Sequence, residues 1–151
     1  MKYSYIFFAV IIAVVCARSV REKRQAEAYT LPDGIEFILN APLVTKFRCE
    51  AAGYYADIDN NCQLFHICDV STNPRGVSEI RQYTFACGNQ TIFNQLTMTC
   101  STPEESIPCD LAPQFYSFNT KIGLEKTPFH TDEELANAAQ YVPARAKLLK
   151  N

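Results

Sequence analysis

Six cysteines crowded into one short segment constrain the fold of this chain more than any other feature. They lie between positions 49 and 109, while a seventh, Cys16, falls in an apolar run near the start. An even number of cysteines in a short secreted segment is typical of a disulfide framework. Six cysteines permit 15 pairings, and their spacing alone does not choose among them. Three bridges, at roughly 3 kcal/mol each, would supply stability that the small apolar core of such a unit lacks.

The alternative for these cysteines is a zinc site, because His66 lies between Cys62 and Cys68. Structural zinc sites use closely spaced pairs of cysteine or histidine ligands. No Cys-x-x-Cys pair is present, and His130 is the only other histidine. We therefore expect disulfides, with no metal and no other cofactor.

The start of the chain has the three-part layout of a secretory signal peptide, which we place at residues 1–17. Lys2 supplies a basic start, and an apolar run of 11 residues extends from Ile6 to Cys16. That run is short for a membrane span, although an uncleaved anchor or a buried helix is the alternative. The sequence therefore predicts a secreted, extracellular protein that no membrane holds after cleavage.

The charged residues indicate processing near the start and no nucleic-acid partner. The cluster Arg21-Glu22-Lys23-Arg24 has the spacing of a dibasic processing site, so residues 18–24 are a candidate propeptide. A solvated linker is the alternative reading of this cluster. The whole chain has a formal net charge of -2 and a pI near 5.7. Nucleic-acid binding is disfavoured because the chain has no excess of positive charge to hold phosphates.

The residue pattern within the cysteine-rich segment predicts short antiparallel strands. Over 62–68 the residues alternate, so the even-numbered side chains share one side of an extended chain and the odd-numbered ones the other. Further runs of strand-forming residues lie at 80–86, 90–93 and 96–100. Residues 57–61 read as a turn and 71–78 as an exposed loop. We expect a small disulfide-rich β fold, with two short antiparallel sheets or hairpins locked by three disulfides.

Three strings in this segment are similar to those of one known family. They are Gly53-Tyr54-Tyr55-Ala56-Asp57, Tyr83-Thr84-Phe85-Ala86-Cys87 and Thr91-Ile92-Phe93-Asn94-Gln95, among cysteine gaps of 12, 5, 18, 12 and 8 residues. With them, the stretch from Phe47 to Cys109 resembles the chitin-binding type 2 domain, also called peritrophin-A or carbohydrate-binding module family 14. The chain as a whole resembles single-domain cuticular proteins analogous to peritrophins. The resemblance implies the pairing of Cys49 with Cys68, of Cys62 with Cys109, and of Cys87 with Cys100. We place the domain at residues 47–110.

The resemblance implies a non-catalytic protein whose partner is chitin, a neutral polymer of N-acetylglucosamine. A binder of this polymer needs exposed aromatic rings and short polar side chains rather than charge. The candidate binding residues are Tyr55, Tyr83, Phe85, Thr91, Phe93 and Asn94. Together with Phe65 they number seven, and we expect at least half to be buried, Phe65 and Phe93 first, because the small core also needs aromatic residues. The family's sugar contacts lie on the hairpin between the fourth and fifth cysteines, which favours Thr91, Asn94 and the adjoining Tyr83.

The string Asn89-Gln90-Thr91 is a glycosylation sequon on a predicted turn, so Asn89 is a candidate glycosylation site. A glycan at this position would lie beside the candidate sugar-binding residues. The sequence therefore places an attached sugar and a bound sugar on the same part of the domain.

The flanking segments carry weaker signals. Residues 25–46 are predicted to form an extended arm with a short apolar piece at 35–39. Residues 111–151 are predicted to form a tail, irregular up to 128, with a short helix that begins with a capping box at Thr131 and ends at Pro143. We favour a solvated tail over a segment that binds a partner.

Two functions of different class follow from the resemblance. The first is a monomeric protein that attaches to a chitin matrix in cuticle, tracheal lining or the peritrophic layer of the gut. The second is a secreted venom-type effector on the same scaffold, because centipede venom proteins include chains that resemble this domain. An enzyme is disfavoured, since no Gly-x-Ser-x-Gly or His-Glu-x-x-His string is present and His66 has no recognisable partner. Asp57 and Asp59 read as turn-capping residues rather than as a catalytic pair.

Overall fold

Two separate antiparallel sheets form the cysteine-rich segment in the computed structural model, which describes residues 28–72, 74, 76 and 78–148. The first sheet contains β1 (Gly53–Ala56), β2 (Leu64–Thr72) and β3 (Ser78–Ala86) in that order, and the second contains β4 (Ile92–Asn94) and β5 (Thr99–Ser101). The expected disulfide-rich β fold is confirmed, with a third strand added to the first hairpin. The predicted signal peptide and propeptide lie outside the described residues.

Strand β2 buries one of the two sides that its alternating pattern defines. Its even-numbered residues from 64 to 68 are buried, whereas Phe65 and Ile67 are only partly covered. Strand β1 pairs with this end of β2, and the remainder of β2 pairs with β3 alone. The loop predicted at 71–78 is shorter in the structure, because both strands of the hairpin extend into it.

Three disulfides tie the two sheets to each other and to their flanking segments. They join Cys49 to Cys68, Cys62 to Cys109, and Cys87 to Cys100. This is the pairing that the family resemblance implies. It also removes the zinc alternative at His66, because both neighbouring cysteines are bound to sulfur.

The predicted turn at 57–61 is a short 3₁₀ helix, Ile58–Asn60. Asp57 caps this helix by accepting a hydrogen bond from the backbone N–H of Asn60. Asn61 ends it in the left-handed conformation, with φ of 53°, which asparagine adopts more readily than most residues. The turn reverses the chain between β1 and β2.

The segment before the first cysteine packs against the buried face of the first sheet. Tyr29 and Leu64 are buried in one cluster, against which partly covered side chains of the arm lie: Leu31, Ile35, Leu39 and Phe47. A short 3₁₀ helix, Ile35–Phe37, forms within the predicted apolar piece. Asn60 fastens the arm, because its side-chain amide bonds both the N–H and the C=O of Val44 at 2.9 and 2.7 Å. The arm is thus part of the core of the domain.

The prediction of irregular structure over 110–128 is wrong for its first part. A long 3₁₀ helix, Cys109–Lys121, occupies this region and contains Pro113. A 3₁₀ helix has three residues per turn, so residues three apart share a face. Ala112 and Phe118 lie on such a face and are buried, with Phe115 between them partly covered. The sequence pattern has a period of three, which differs from the periods of an α-helix and of a strand.

The C-terminal segment is exposed over most of its described length, but two buried residues, Ala138 and Val142, dock it on the domain. Helix α1 (Asp132–Ala139) begins with the predicted capping box at Thr131, and Pro143 starts a second helix, α2 (Pro143–Leu148). One buried cluster joins α1 and the residue before α2 to the 3₁₀ helix and to the turns on either side of β5. Its members are Leu96, Ile107, Phe118, Ala138 and Val142. In the described part of the chain, no helix has the length and apolar character needed to cross a membrane.

Candidate functional site

One face of the first sheet presents aromatic side chains to solvent. Side chains two apart on a strand share a face, so Tyr83 and Phe85 project from the same side of β3. Tyr83 is 45% exposed and Phe85 is 44% exposed. Their register partners on β2 are Ile67 and Phe65, both partly covered. The structure therefore brings two of the predicted binding residues together on one exposed surface, which we call the aromatic face.

A column of three phenylalanine rings connects this surface to the core. The Phe65 ring stacks on the Phe93 ring with centroids 4.5 Å apart, and on the Phe85 ring with centroids 5.5 Å apart. Phe93 is only 2% exposed, and Phe65 is partly covered. The buried ring therefore supports the exposed one through Phe65, and Phe93 presents almost no surface to a polymer in this conformation.

Asn94 and Gln95 follow Phe93 and are also buried. The Asn94 side chain accepts a hydrogen bond from the N–H of Leu96 at 3.1 Å and donates one to the C=O of Glu105 at 3.3 Å. These contacts hold the turn after β4. The predicted binding residue Asn94 thus directs its polar atoms to the backbone of its own domain.

Tyr55 lies on the opposite face of the sheet from Tyr83 and Phe85. Its ring meets the Tyr116 ring edge-on at 4.9 Å, and its hydroxyl donates a hydrogen bond to the C=O of Ala52 at 3.2 Å. Burial raises the pKa of the Tyr55 hydroxyl above its ordinary value. The structure does not bring Tyr55 together with the aromatic face.

Thr91 and the sequon residue Asn89 lie on the turn between β3 and β4. The Thr91 hydroxyl donates a hydrogen bond to the C=O of Gly88 at 2.7 Å, which closes this turn. Asn89 is exposed, so its side chain is accessible for modification. Both residues line a cleft that is separate from the exposed rings of β3.

A buried hydrogen-bond network lies on the other side of the sheet. The two ring nitrogens of His66 lie 2.9 Å from Asp57 Oδ2 and 2.9 Å from Thr84 Oγ1. The Phe47 ring stacks on the imidazole at 3.9 Å, and the Tyr29 ring meets it edge-on at 5.4 Å. This order of hydroxyl, imidazole and carboxylate is that of a hydrolytic triad, yet His66 is fully buried beneath the arm. The network therefore joins the arm to the sheet and has no access to a substrate.

The sequence carries no local signal for the partner of His66. Asp57 lies nine residues earlier and belongs to the turn after β1, so only the antiparallel register of β1 and β2 brings the two together. Burial raises the pKa of the Tyr29 hydroxyl above its ordinary value, and the negative charge of the same Asp57 carboxylate raises it further. Asp57 is therefore a structural residue, as its predicted capping role indicated.

Side chains close the outer edge of β1, another feature without a clear sequence signal. Gln95 accepts a hydrogen bond from the N–H of Ala56 at 2.8 Å and donates one to the C=O of Tyr54 at 2.8 Å. Tyr116 donates a hydrogen bond to the C=O of Ala56 at 3.3 Å, and Asn119 bonds the backbone of Tyr54. Edge strands with free backbone groups invite pairing with another chain, and these contacts prevent it at β1.

Comparison with known proteins agrees with this architecture. Residues 49–109 match the model of the chitin binding Peritrophin-A domain. Two relatives are U-scoloptoxin(01)-Er1a of Ethmostigmus rubripes, 25% identical over 80% of this chain and 89% of the relative, and U-scoloptoxin(01)-Cw1a of Cormocephalus westwoodi, 26% identical over 73% of this chain and 76% of the relative. No solved structure matches the chain significantly. The family is one of non-catalytic carbohydrate-binding modules, and the disulfides and strands described above fall within the matched region. The cysteine-rich segment of this chain is therefore similar, over residues 49–109, to the chitin binding Peritrophin-A domain.

Proposed function

We propose that this protein is secreted and attaches, without catalysis, to chitin in an extracellular matrix such as cuticle, tracheal lining or the peritrophic layer. The observation that carries this proposal is the exposure of Tyr83 and Phe85 on one face of β3. Two residues along a strand span about 7 Å, so the two rings form one continuous apolar strip. Chitin has flat C–H faces on its sugar rings, and such a strip is suited to lie against them.

Free-energy magnitudes favour several contacts acting together. One ring that covers about 100 Å² of apolar sugar surface gains roughly 2.5 kcal/mol before any loss. Loss of translational and rotational freedom on association removes at least that amount. Two rings on a rigid strand are therefore the minimum, and the stack of Phe85 on Phe65 supplies that rigidity. We propose Tyr83 and Phe85 as the principal contacts.

The chemistry of the aromatic face favours binding over hydrolysis. Glycoside hydrolysis requires a pair of carboxyl groups placed on either side of the bond that breaks. Tyr83 and Phe85 have hydrophobic neighbours at their register positions on β2, Ile67 and Phe65. The Asp57 carboxylate is occupied by His66 and Asn60 on the opposite side of the sheet. These contacts support a non-catalytic role.

A second proposed function is that of a secreted effector on the same scaffold. The names of the two relatives describe them as toxins, which supports this alternative at an identity of 25–26%. The site of expression separates the two functions, since a matrix protein is made by the epithelium that deposits the matrix and a venom component by a venom gland. Localisation of the transcript therefore discriminates between them.

The direct test of the first function is sedimentation of the secreted, oxidised protein with colloidal chitin. We expect the protein to sediment with chitin but not with cellulose, which lacks the acetamido group. Reduction of the three disulfides is expected to abolish binding, because the strands that carry Tyr83 and Phe85 lose their support. Equal retention on cellulose, or none on chitin, would contradict the proposal.

A further inference from the structure

A cleft of about 370 Å³ lies between the N-terminal arm and the domain, away from the side chains of Tyr83 and Phe85. Three segments line it: the arm at Ile38 and Asn40, the turn at 89–92, and the loop at 102–104. Gln63, at the start of the first hairpin, completes the lining. The arm residues precede the matched domain, which begins at residue 49. One wall of this cleft is therefore a feature of this chain rather than of the matched region.

The arm wall is held rigidly by one buried side chain. Gln63 accepts a hydrogen bond from the N–H of Asn40 at 2.8 Å and donates one to the C=O of Ile38 at 2.9 Å. Both residues that the arm contributes to the cleft are thus fastened by the same amide. The first of these bonds uses the backbone N–H of Asn40 and the second the backbone C=O of Ile38, so neither involves the Asn40 side chain.

The other two walls are tied to the Cys87–Cys100 disulfide, since the turn follows Cys87 and the loop follows Cys100. Within the loop, Ser106 donates a hydrogen bond to the C=O of Thr102 at 2.9 Å. The N–H of Ala144, in α2, donates a hydrogen bond to the C=O of Glu104 at 2.9 Å. A preformed cleft loses little conformational entropy when a ligand binds, and these contacts give this one its preformed shape.

The chemistry of the lining selects a class of ligand. Neutral amide and hydroxyl side chains predominate in it: Asn40, Gln63, Asn89, Gln90, Thr91 and Thr102. Ile38, Ile92 and Pro103 add small apolar surfaces. Among the described residues that line the cleft, Glu104 is the single acid and none is a lysine, arginine or histidine. Without a cation the cleft is unsuited to phosphate, and with so many polar groups it is unsuited to a hydrocarbon.

We propose that this cleft binds one N-acetylglucosamine unit, with the N-terminal arm supplying one wall through Asn40. Side-chain amides match the acetamido group, the hydroxyls and Glu104 accept from or donate to sugar hydroxyls, and the apolar residues receive a C–H face. The sugar comes either from the chitin polymer or from a glycan on Asn89, which itself lines the cleft. The inference rests on the proposed chitin-binding function and adds a second subsite to it.

The test uses the full secreted chain, produced with nitrogen-15 label in a bacterial periplasm, where disulfides form and Asn89 carries no glycan. Addition of chitotriose is expected to shift the side-chain amide signals of Asn40 and Gln90 in a saturable way, whereas cellotriose leaves them unmoved. Asn40→Ala is expected to raise the Kd about five- to tenfold, the effect of one lost neutral hydrogen bond. Asn137→Ala, an exposed asparagine on α1, is the matched control and leaves the Kd unchanged.

Three outcomes overturn the inference: no shift at Asn40, an equal shift with cellotriose, or an unchanged Kd in Asn40→Ala. If the chain still sediments with chitin in such a case, the cleft assignment is wrong and the proposed function stands. If it neither sediments nor shifts, both fail. The same titration on protein glycosylated at Asn89 identifies the source of the sugar. Loss of the shift there assigns the cleft to the attached glycan, and its persistence assigns the cleft to the polymer.

Discussion

The side-chain amide of Asn119 forms hydrogen bonds with both backbone groups of Tyr54, accepting from its N–H at 2.8 Å and donating to its C=O at 3.0 Å. The amide thus occupies the position that a neighbouring strand would take. The approach requires Gly53, because a Cβ atom there would lie 2.3 Å from Asn119 Cγ. A residue outside the matched domain therefore completes the first sheet.

Asn119→Ala is expected to lower the free energy of unfolding by about 1–3 kcal/mol, because it leaves two backbone groups of Tyr54 with fewer partners. Urea denaturation monitored by tyrosine fluorescence measures the change. Gln114→Ala, an exposed amide on the same 3₁₀ helix, is the control and is expected to leave stability within 0.5 kcal/mol, the usual range for exposed positions. Equal effects of the two substitutions would show that the contact with Tyr54 contributes nothing.

Tyr83→Ala is expected to weaken chitin binding roughly tenfold while the protein remains folded, because the exposed ring is lost from the aromatic face. Sedimentation with colloidal chitin over a range of chitin concentrations gives the affinity. Ile80→Ala is the matched control, since Ile80 lies on the same strand, is 44% exposed and faces the other side of the sheet. Unchanged retention of Tyr83→Ala would remove Tyr83 from the site.

Phe93→Ala is expected to destabilise the domain by about 3–5 kcal/mol and to reduce secretion, because the ring is buried and supports Phe65. Secreted yield and the unfolding midpoint report the loss. Phe93→Leu retains most of the buried volume and is expected to be intermediate. A Phe93→Ala protein with wild-type yield and midpoint would contradict the assignment of this ring to the core.

Removal of the Cys62–Cys109 bridge is expected to cost about 1 kcal/mol more than removal of the Cys87–Cys100 bridge. The first closes a loop with a sequence separation of 47 and the second one of 13. In the chain-entropy model the longer loop restricts the unfolded chain more, which gives about 4 against about 3 kcal/mol. Paired alanine variants compared by urea denaturation test this order. A larger loss from the shorter loop would show that native contacts, not chain entropy, dominate.

Stability is expected to fall as the pH decreases from about 7 to 5, in part because of His130. Burial lowers the pKa of His130 below its ordinary value of 6.5, and its ring packs edge-on against Phe118 at 4.8 Å. The unfolded chain binds this proton at the ordinary pKa and the folded chain only at lower pH, so the contribution is complete above 6.5 and declines below it. His130→Gln is expected to show a shallower decline in melting temperature over this range. An identical pH profile would exclude His130 as a cause.

Local patterns in the sequence were sufficient to predict strands β2 to β5, but not β1. They did not identify the buried face of β2, since Phe65 was expected to be buried and is only partly covered. The alternation over 62–68 reports a period of two, which is a property of the strand itself. The cysteine gaps and three short strings carried the family resemblance and, through it, the disulfide pairing. The contact between His66 and Asp57 was out of reach, because it depends on how two strands align rather than on any local spacing.

The candidate site was predictable in residue type but only partly in orientation, since Phe93 is buried as expected whereas Phe65 is only partly covered. Tyr83, Phe85 and Phe93 are equivalent as aromatic residues in strands, and only the position of the second sheet decides that Phe93 is buried and Phe85 exposed. The family resemblance favours Asn94 as a sugar contact, whereas the structure uses its side chain to hold a turn. The cleft wall at Asn40 had no signal, because its shape arises when the arm returns to Gln63 over 23 residues.

The bridge between Cys62 and Cys109 crosses the connection between β2 and β3, while the other two bridges lie wholly on either side of it. A protease that cuts this connection therefore leaves two fragments that remain one covalent molecule. Each fragment keeps one internal disulfide, Cys49–Cys68 or Cys87–Cys100. The cut becomes visible on a denaturing gel only after a reducing agent is added. Whether the protein remains one covalent molecule after a digestive protease cuts this connection thus depends on the position of one disulfide, Cys62–Cys109.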